Sequence, residues 1–140
     1  MRKPLIDRAE ARVWATQTQG RVTLPGNDAA VIVPSGQAVT LQDVIVDAPS
    51  SDMAIYRFRY LAPAIARDGG TMSFEASIDD MQALCEGPAL GQLTTALPAS
   101  VQVIISLADM AMPFGDANPD ATQFFMSFQI KDGECVLEPY

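Results

Sequence analysis

The sequence has no histidine, only two cysteines and one tryptophan, and nine basic residues against seventeen acidic ones in 140 residues. Each scarcity removes a class of chemistry. Without imidazole there is no Ser-His-Asp or Cys-His arrangement, because the imidazole carries the proton in both. Most zinc and iron sites go with it, since they rely on imidazole ligands. Two cysteines 50 positions apart cannot supply the four thiolates of an all-cysteine zinc site. A formal charge of −8 repels phosphates, and no basic stripe lies along any expected element, so nucleic acid is not an expected partner. No apolar run approaches the roughly 18–20 residues of a membrane span. Neither G-x-G-x-x-G nor G-x-x-x-x-G-K-[ST] occurs, so no phosphate-cradling loop is expected.

What is present suits one packed domain: 49% of residues are hydrophobic and 19% charged. The charge is uneven. Residues 1–21 carry a net +3 through Arg2, Lys3, Arg8, Arg12 and Arg21, and residues 22–140 carry a net −11. The first four residues resemble the positive end of a signal peptide. Asp7, Arg8, Glu10 and Arg12 interrupt the apolar stretch that should follow, so the chain as given shows no export signal. Leu5, Ala9 and Val13 recur at helical spacing, with Ile6 and Trp14 beside them, which fits a short amphipathic helix. The same segment could instead be a strand, or a tail without fixed structure. The division expected is a basic amino-terminal segment at 1–28 and a single domain at 29–140.

Within that domain, residues 31–33 and 39–46 read as strands. Residues 54–61 alternate most clearly: Ala54, Tyr56, Phe58 and Tyr60 share one face, and Ile55, Arg57, Arg59 and Leu61 the other. A short strand is expected at 71–75. Ser77 then reads as the cap of a helix with Asp79 and Asp80 in its first turn. Ile78, Met81, Leu84 and Cys85 form its apolar stripe, and Gly87-Pro88 its stop. A second short helix is expected at 89–96. Residues 101–107 read as a central strand, with 110–114 as a short extension. The strongest signal is Asp132-Gly133 between residues 122–131 and 134–139, an Asp-Gly hairpin turn. The fold class expected is α+β: a mainly antiparallel sheet of about five strands, one or two short helices packed on one face, and a C-terminal β-hairpin.

Three groups of residues are candidates for chemistry. A two-residue turn sets Ile130 opposite Cys135, so Cys135 faces the core, and Cys85 lies on the apolar stripe of the helix covering it. The two thiols then point into one layer. They could form a disulfide that closes a loop of about 50 residues, stabilising by about 4 kcal/mol in the chain-entropy picture, or stay buried as small hydrophobes. Arg57 and Arg59 leave one strand in the same direction. They could hold a ligand carboxylate or another anion, or form cross-strand ion pairs with nearby acids. Asp116, Asn118 and Asp120 alternate like the start of a calcium loop. Ala121 stands where that loop needs glycine and Ser127 where it needs a bidentate glutamate, so no metal site is assigned. The acids show no converging pair for two-carboxylate chemistry, Asp79 and Asp80 being adjacent and divergent on a helix. No cofactor site and no catalytic residue is assigned.

Val33-Pro34-Ser35-Gly36-Gln37, Thr40-Leu41-Gln42-Asp43-Val44, Arg57-Phe58-Arg59-Tyr60, Ala62-Pro63-Ala64-Ile65-Ala66, Ile104-Ile105-Ser106-Leu107, Pro113-Phe114-Gly115 and Ala121-Thr122-Gln123-Phe124-Phe125 together carry a resemblance. Over residues 31–140 the chain resembles a family of small uncharacterised alphaproteobacterial proteins, a domain of unknown function. Some relatives carry the label acetolactate synthase. That label implies a thiamine-diphosphate site, G-D-G followed by a distant Asn, which this sequence lacks. The βαββαβ domains of the enzyme's regulatory subunit also differ from the element order read here. The function expected is a small accessory or protein-binding module without catalytic machinery, with a protein partner or a second copy of itself. The alternative is a regulatory domain that binds a small anionic ligand through Arg57 and Arg59. A closed Cys85–Cys135 bond would favour the periplasm, and its absence the cytoplasm.

Overall fold

The computed structural model describes residues 21–50, 52–93, 100–116 and 118–138. The helical reading of residues 5–14 and the last residues of the expected second helix lie outside these. The elements are β1 (Arg21–Val31), β2 (Val39–Ser50), β3 (Met53–Leu61), a 3₁₀ turn (Pro63–Ile65), α1 (Phe74–Leu84), β4 (Ser100–Ala108), β5 (Gln123–Lys131) and β6 (Glu134–Leu137). The six strands form one sheet in the order β1-β2-β3-β4-β5-β6.

The sheet is mixed, not the mainly antiparallel one expected from the sequence, because β3 and β4 run parallel from Met53↔Ser100 to Leu61↔Ala108. Parallel neighbours need a long crossover, usually helical, and residues 62–99 supply it. The strand expected at 71–75 does not form. Ser73 Oγ instead accepts from the Ala76 amide at 3.1 Å and caps α1 four residues before the expected cap. Ser77, expected as that cap, is buried inside the helix.

The stop expected at Gly87-Pro88 also fails. The helix runs on through a π-helical turn (Cys85–Ala89) into a last α turn (Leu90–Gln92), giving one helix where a second was expected. Proline removes an N–H and crowds the carbonyl four residues back. The wider π turn passes it, with the Leu90 amide donating to Cys85 O five residues earlier.

The body starts earlier than Ala29. Arg21, Val22, Thr23 and Leu24 pair with Asp47, Val46, Ile45 and Val44, so residues 21–28 are part of the sheet. The turn residues Gly26, Asn27 and Asp28 make a bulge in β1 and do not end a segment. The register shifts between Pro25 and Ala29, and Asn27 and Asp28 take φ of 56° and 52°. A Cβ on Gly26 would lie 2.3 Å from Leu41 O, which glycine alone avoids.

The core lies between α1 and one face of the sheet. Tyr56, Phe58 and Tyr60 of β3 meet Val103, Ile105 and Leu107 of β4, with Val44 and Val46 on one side and Met126 and Phe128 on the other. Met81, Leu84 and Cys85 close the layer from the helix. Each such side chain contributes about 1.5–3 kcal/mol relative to exposure. A polar tie fixes the helix to the β1–β2 loop. Buried Asp80 accepts from the Ser35 amide at 2.9 Å, from Gln37 Nε2 at 2.7 Å and from the Ser35 hydroxyl.

The C-terminal hairpin forms as expected. Asp132 and Gly133 both have positive φ, and Lys131↔Glu134 and Ile130↔Cys135 pair across the turn. Cys135 therefore meets the π turn, and its Sγ lies at disulfide distance, 2.08 Å, from that of Cys85. A bond between them closes a loop spanning 50 residues and would contribute about 4 kcal/mol through the unfolded chain. Unreduced denatured protein should take up no alkylating agent by intact mass, and reduced protein should take up two equivalents and unfold at lower urea concentration. Two adducts without reduction would show that the bond is open.

Candidate functional site

The sheet face away from α1 is built from the other alternate residues of the same strands. Strand register arranges them in rows. One row runs Thr23–Ile45–Arg57–Ile104–Ser127 and the next Pro25–Asp43–Arg59–Ser106–Phe125, from β1 to β5. Arg57 and Arg59 thus share this face, as the period of two implies. The loop at 109–122 folds over it. Its base is closed by the Asp109 amide donating to Thr122 O at 3.1 Å and the Thr122 amide donating to Asp109 Oδ1 at 2.8 Å. Two side chains from the sheet hold its middle: Gln42 Nε2 donates to Met112 O at 2.9 Å, and Arg59 Nη2 donates to the same carbonyl.

Phe114, at the turn of this loop, is the centre of the arrangement. The guanidinium carbons of Arg21, Arg57 and Arg59 lie 4.7, 5.5 and 5.6 Å from its ring centre. These distances permit cation–π attraction. Two aspartates hold the fan. Asp47 accepts from Arg21 Nε at 2.7 Å and from Arg57 Nη1, and Asp43 accepts from Arg59 Nη1 at 3.0 Å. Three positive charges therefore face two negative ones.

The two carboxyls respond differently. Burial pushes Asp43 up, and the charge and hydrogen bond of Arg59 only partly offset this, so its pKa lies above the ordinary value of 3.8. Burial also pushes Asp47 up, but the hydrogen bonds and charges of Arg21 and Arg57 outweigh it, and its pKa lies below that value.

Beside the fan, the loop and β3–β5 enclose a cleft of about 390 Å³. Arg57, Arg59, Ser106 and Ser127 give it polar groups, and Ile104, Phe114 and Phe125 give it apolar ones. Arg59 is only 8% exposed, whereas Phe114 and Phe125 are 41% and 50% exposed.

The candidate residues of the sequence are thus separated. Arg57 and Arg59 lie on this face, and Cys85 and Cys135 in the core layer on the other. The calcium-like residues part company: Asp116 lines the cleft, and Asp120 lines a second hollow of about 290 Å³ with Ala66, Arg67, Asp68 and Asp109. Asn118 Oδ1 is taken up by the Asp120 amide at 3.0 Å. Among the described residues, no group of three carboxylate, cysteine or histidine side chains is placed to hold a metal ion, and no helix is long and apolar enough to cross a membrane.

Sequence reasoning did not bring Arg21, Asp43, Asp47 or Phe114 to this site. The alternation of Asp43, Ile45 and Asp47 was the available signal, since it places two acids on the face of β2 that the arginines share, Asp43 opposite Arg59 and Asp47 diagonal to Arg57.

The chain matches a known family. The match is to the family described as "Family of unknown function (DUF6497)", and it covers residues 9–140. The chain belongs to the DUF6497 family. The match extends the resemblance, expected over 31–140, through β1 and further toward the amino terminus. No protein of curated function and no solved structure matches the chain.

The opposite shifts of the two aspartates set a pH dependence. Asp47, with a lowered pKa, contributes stability that is present above the ordinary carboxylate value and lost as pH falls through its folded value. Asp43, with a raised pKa, runs the other way: its contribution is present below that value and lost as pH rises through its folded pKa. The stability difference between the DUF6497 protein and its Asp47→Asn variant should be largest near neutral pH and shrink below 3.8. Urea titrations at stepped pH measure it, and a difference that does not change with pH would contradict the ion-pair assignment.

Proposed function

We propose that this DUF6497 protein is a small non-catalytic binding module whose binding surface is the cleft between the 109–122 loop and β3–β5. The observation that carries this reading is the placing of charge. Residues 21–138 contain five basic residues, Arg21, Arg57, Arg59, Arg67 and Lys131, in a strongly acidic chain. Three of them converge on one aromatic ring at the cleft wall. Such convergence is unfavourable unless offset, and Asp43 and Asp47 offset only part of it. The cleft's volume falls within the range of ligand pockets, and its mixture of apolar walls with a few polar groups is their usual make-up. The absence of histidine from the chain leaves no side chain that titrates near neutrality in its unperturbed state, which supports binding over proton-transfer chemistry. The cysteine pair at disulfide distance favours an oxidising compartment as the place of work.

A mixed library of neutral and charged fragments, followed by amide chemical shifts, tests the reading. Shifts are expected at Ile104, Ser106, Phe125 and Ser127. A library without binders, or binders that move only residues elsewhere, would overturn it.

A second reading draws on Phe125 and Val136. Both are half-exposed on this face of neighbouring strands, with Ser127 and Gln129 between them, and a protein partner or a second copy would cover them. If the occupant is a second copy, light scattering should give a dimer mass that Phe125→Ser returns to monomer. A monomer at all concentrations would dispose of the self-association.

A further inference from the structure

The two central arginines of the cleft are not equivalent. Arg59 Nη1 is held by Asp43 and Arg59 Nη2 by Met112 O, and its side chain is 10% exposed. It is committed to fixing the loop. Among the described residues Arg57 makes one side-chain hydrogen bond, through Nη1 to Asp47, and its side chain is 23% exposed on the cleft. A guanidinium carries five N–H donors in a planar fork, so Arg57 keeps donors for a second acceptor. A carboxylate matches that fork geometrically.

The charge of the site limits what that acceptor can be. Arg21, Arg57 and Arg59 against Asp43 and Asp47 leave one positive charge unmatched. Exposed Asp116 lines the same cleft, brings the formal count to three charges of each sign, and disfavours more than one negative charge on the ligand. A monoanion fits where a phosphate dianion does not. Next to Arg57 in its row lies Ile104, with Phe114 on the loop and Phe125 on β5 also lining the cleft. These surfaces suit a flat apolar body, which stacks on aromatic rings at low cost.

Resting on the binding reading above, we infer that the cleft takes a small monocarboxylate with a flat apolar body, its carboxylate on Arg57 and its body over Ile104 between Phe114 and Phe125. Arg57 is the ligand-recognising residue, and Arg59 positions the loop that forms the wall.

The test uses the full chain and four probes: benzoate, benzamide, phthalate and inorganic phosphate, with binding followed by amide shifts and titration calorimetry. Benzoate should bind at least tenfold more tightly than benzamide, its uncharged isostere, and more tightly than phthalate or phosphate. Arg57→Gln should weaken benzoate about tenfold and leave benzamide unchanged. The comparison of isosteres on unaltered protein keeps the inference falsifiable even if Arg57→Gln disturbs the fold. Equal binding of benzoate and benzamide, with shifts at Ile104, Ser106, Phe125 and Ser127, would overturn the carboxylate while leaving the cleft as the binding surface. Tighter binding of phosphate or phthalate would overturn the monoanion. Probes that bind only outside the cleft, or no binding by any probe or library fragment, would remove the binding reading and this inference together.

Discussion

Two neighbouring strands that point the same way cannot be joined by a tight turn, and the pairing of β3 with β4 puts this constraint at the centre of the sheet. The chain must leave the end of β3 and return along the sheet to the start of β4. That return carries α1, which settles on the aromatic face of β3 and closes the core with Met81, Leu84 and Cys85. The single described helix is thereby committed to one side. The other face is left to the loop between β4 and β5, with the arginines of β3 beneath it. Core and cleft are two sides of one topological choice.

A face covered by a loop needs anchors where a helix would have packing. Here the anchors are charged. Arg59 reaches from the sheet to the Met112 carbonyl, and Arg67 reaches Pro119 O and Ala121 O at 3.0 and 3.1 Å from outside. Phe114 rests on three guanidiniums. Asp43 and Asp47 keep those cations from repelling one another. The raised pKa of Asp43 shows that burying its charge is costly even beside an arginine.

The local parts of this architecture were legible in the sequence. The Asp132-Gly133 turn fixes its own register, and that register placed Cys135 opposite Ile130 and toward the helix. The alternation through β3 separated the tyrosines and Phe58 from Arg57 and Arg59. What was not legible depended on partners distant along the chain. The parallel β3–β4 pair has no local signature, and a spurious strand at 71–75 hid the β-α-β order that would have announced it. Pro88 reads as a helix stop unless a π turn is foreseen. Gly26, Asn27 and Asp28 read as a boundary because a bulge uses the same residues as a turn. The cleft was half visible: Arg57 and Arg59 share a face by spacing alone. Arg21, Asp43 and Asp47 join them only once β1, β2 and β3 are in register, and Phe114 only once the loop has folded back.

The Cys85–Cys135 pair joins the end of the crossover helix to the last described strand, with β4 and β5 lying between them along the chain. In the folded chain β6, paired to β5 at the edge of the sheet, brings Cys135 up to the end of the crossover helix. A bond there is a clasp at one corner of the molecule: that end of the helix cannot lift from the sheet without carrying β6 with it.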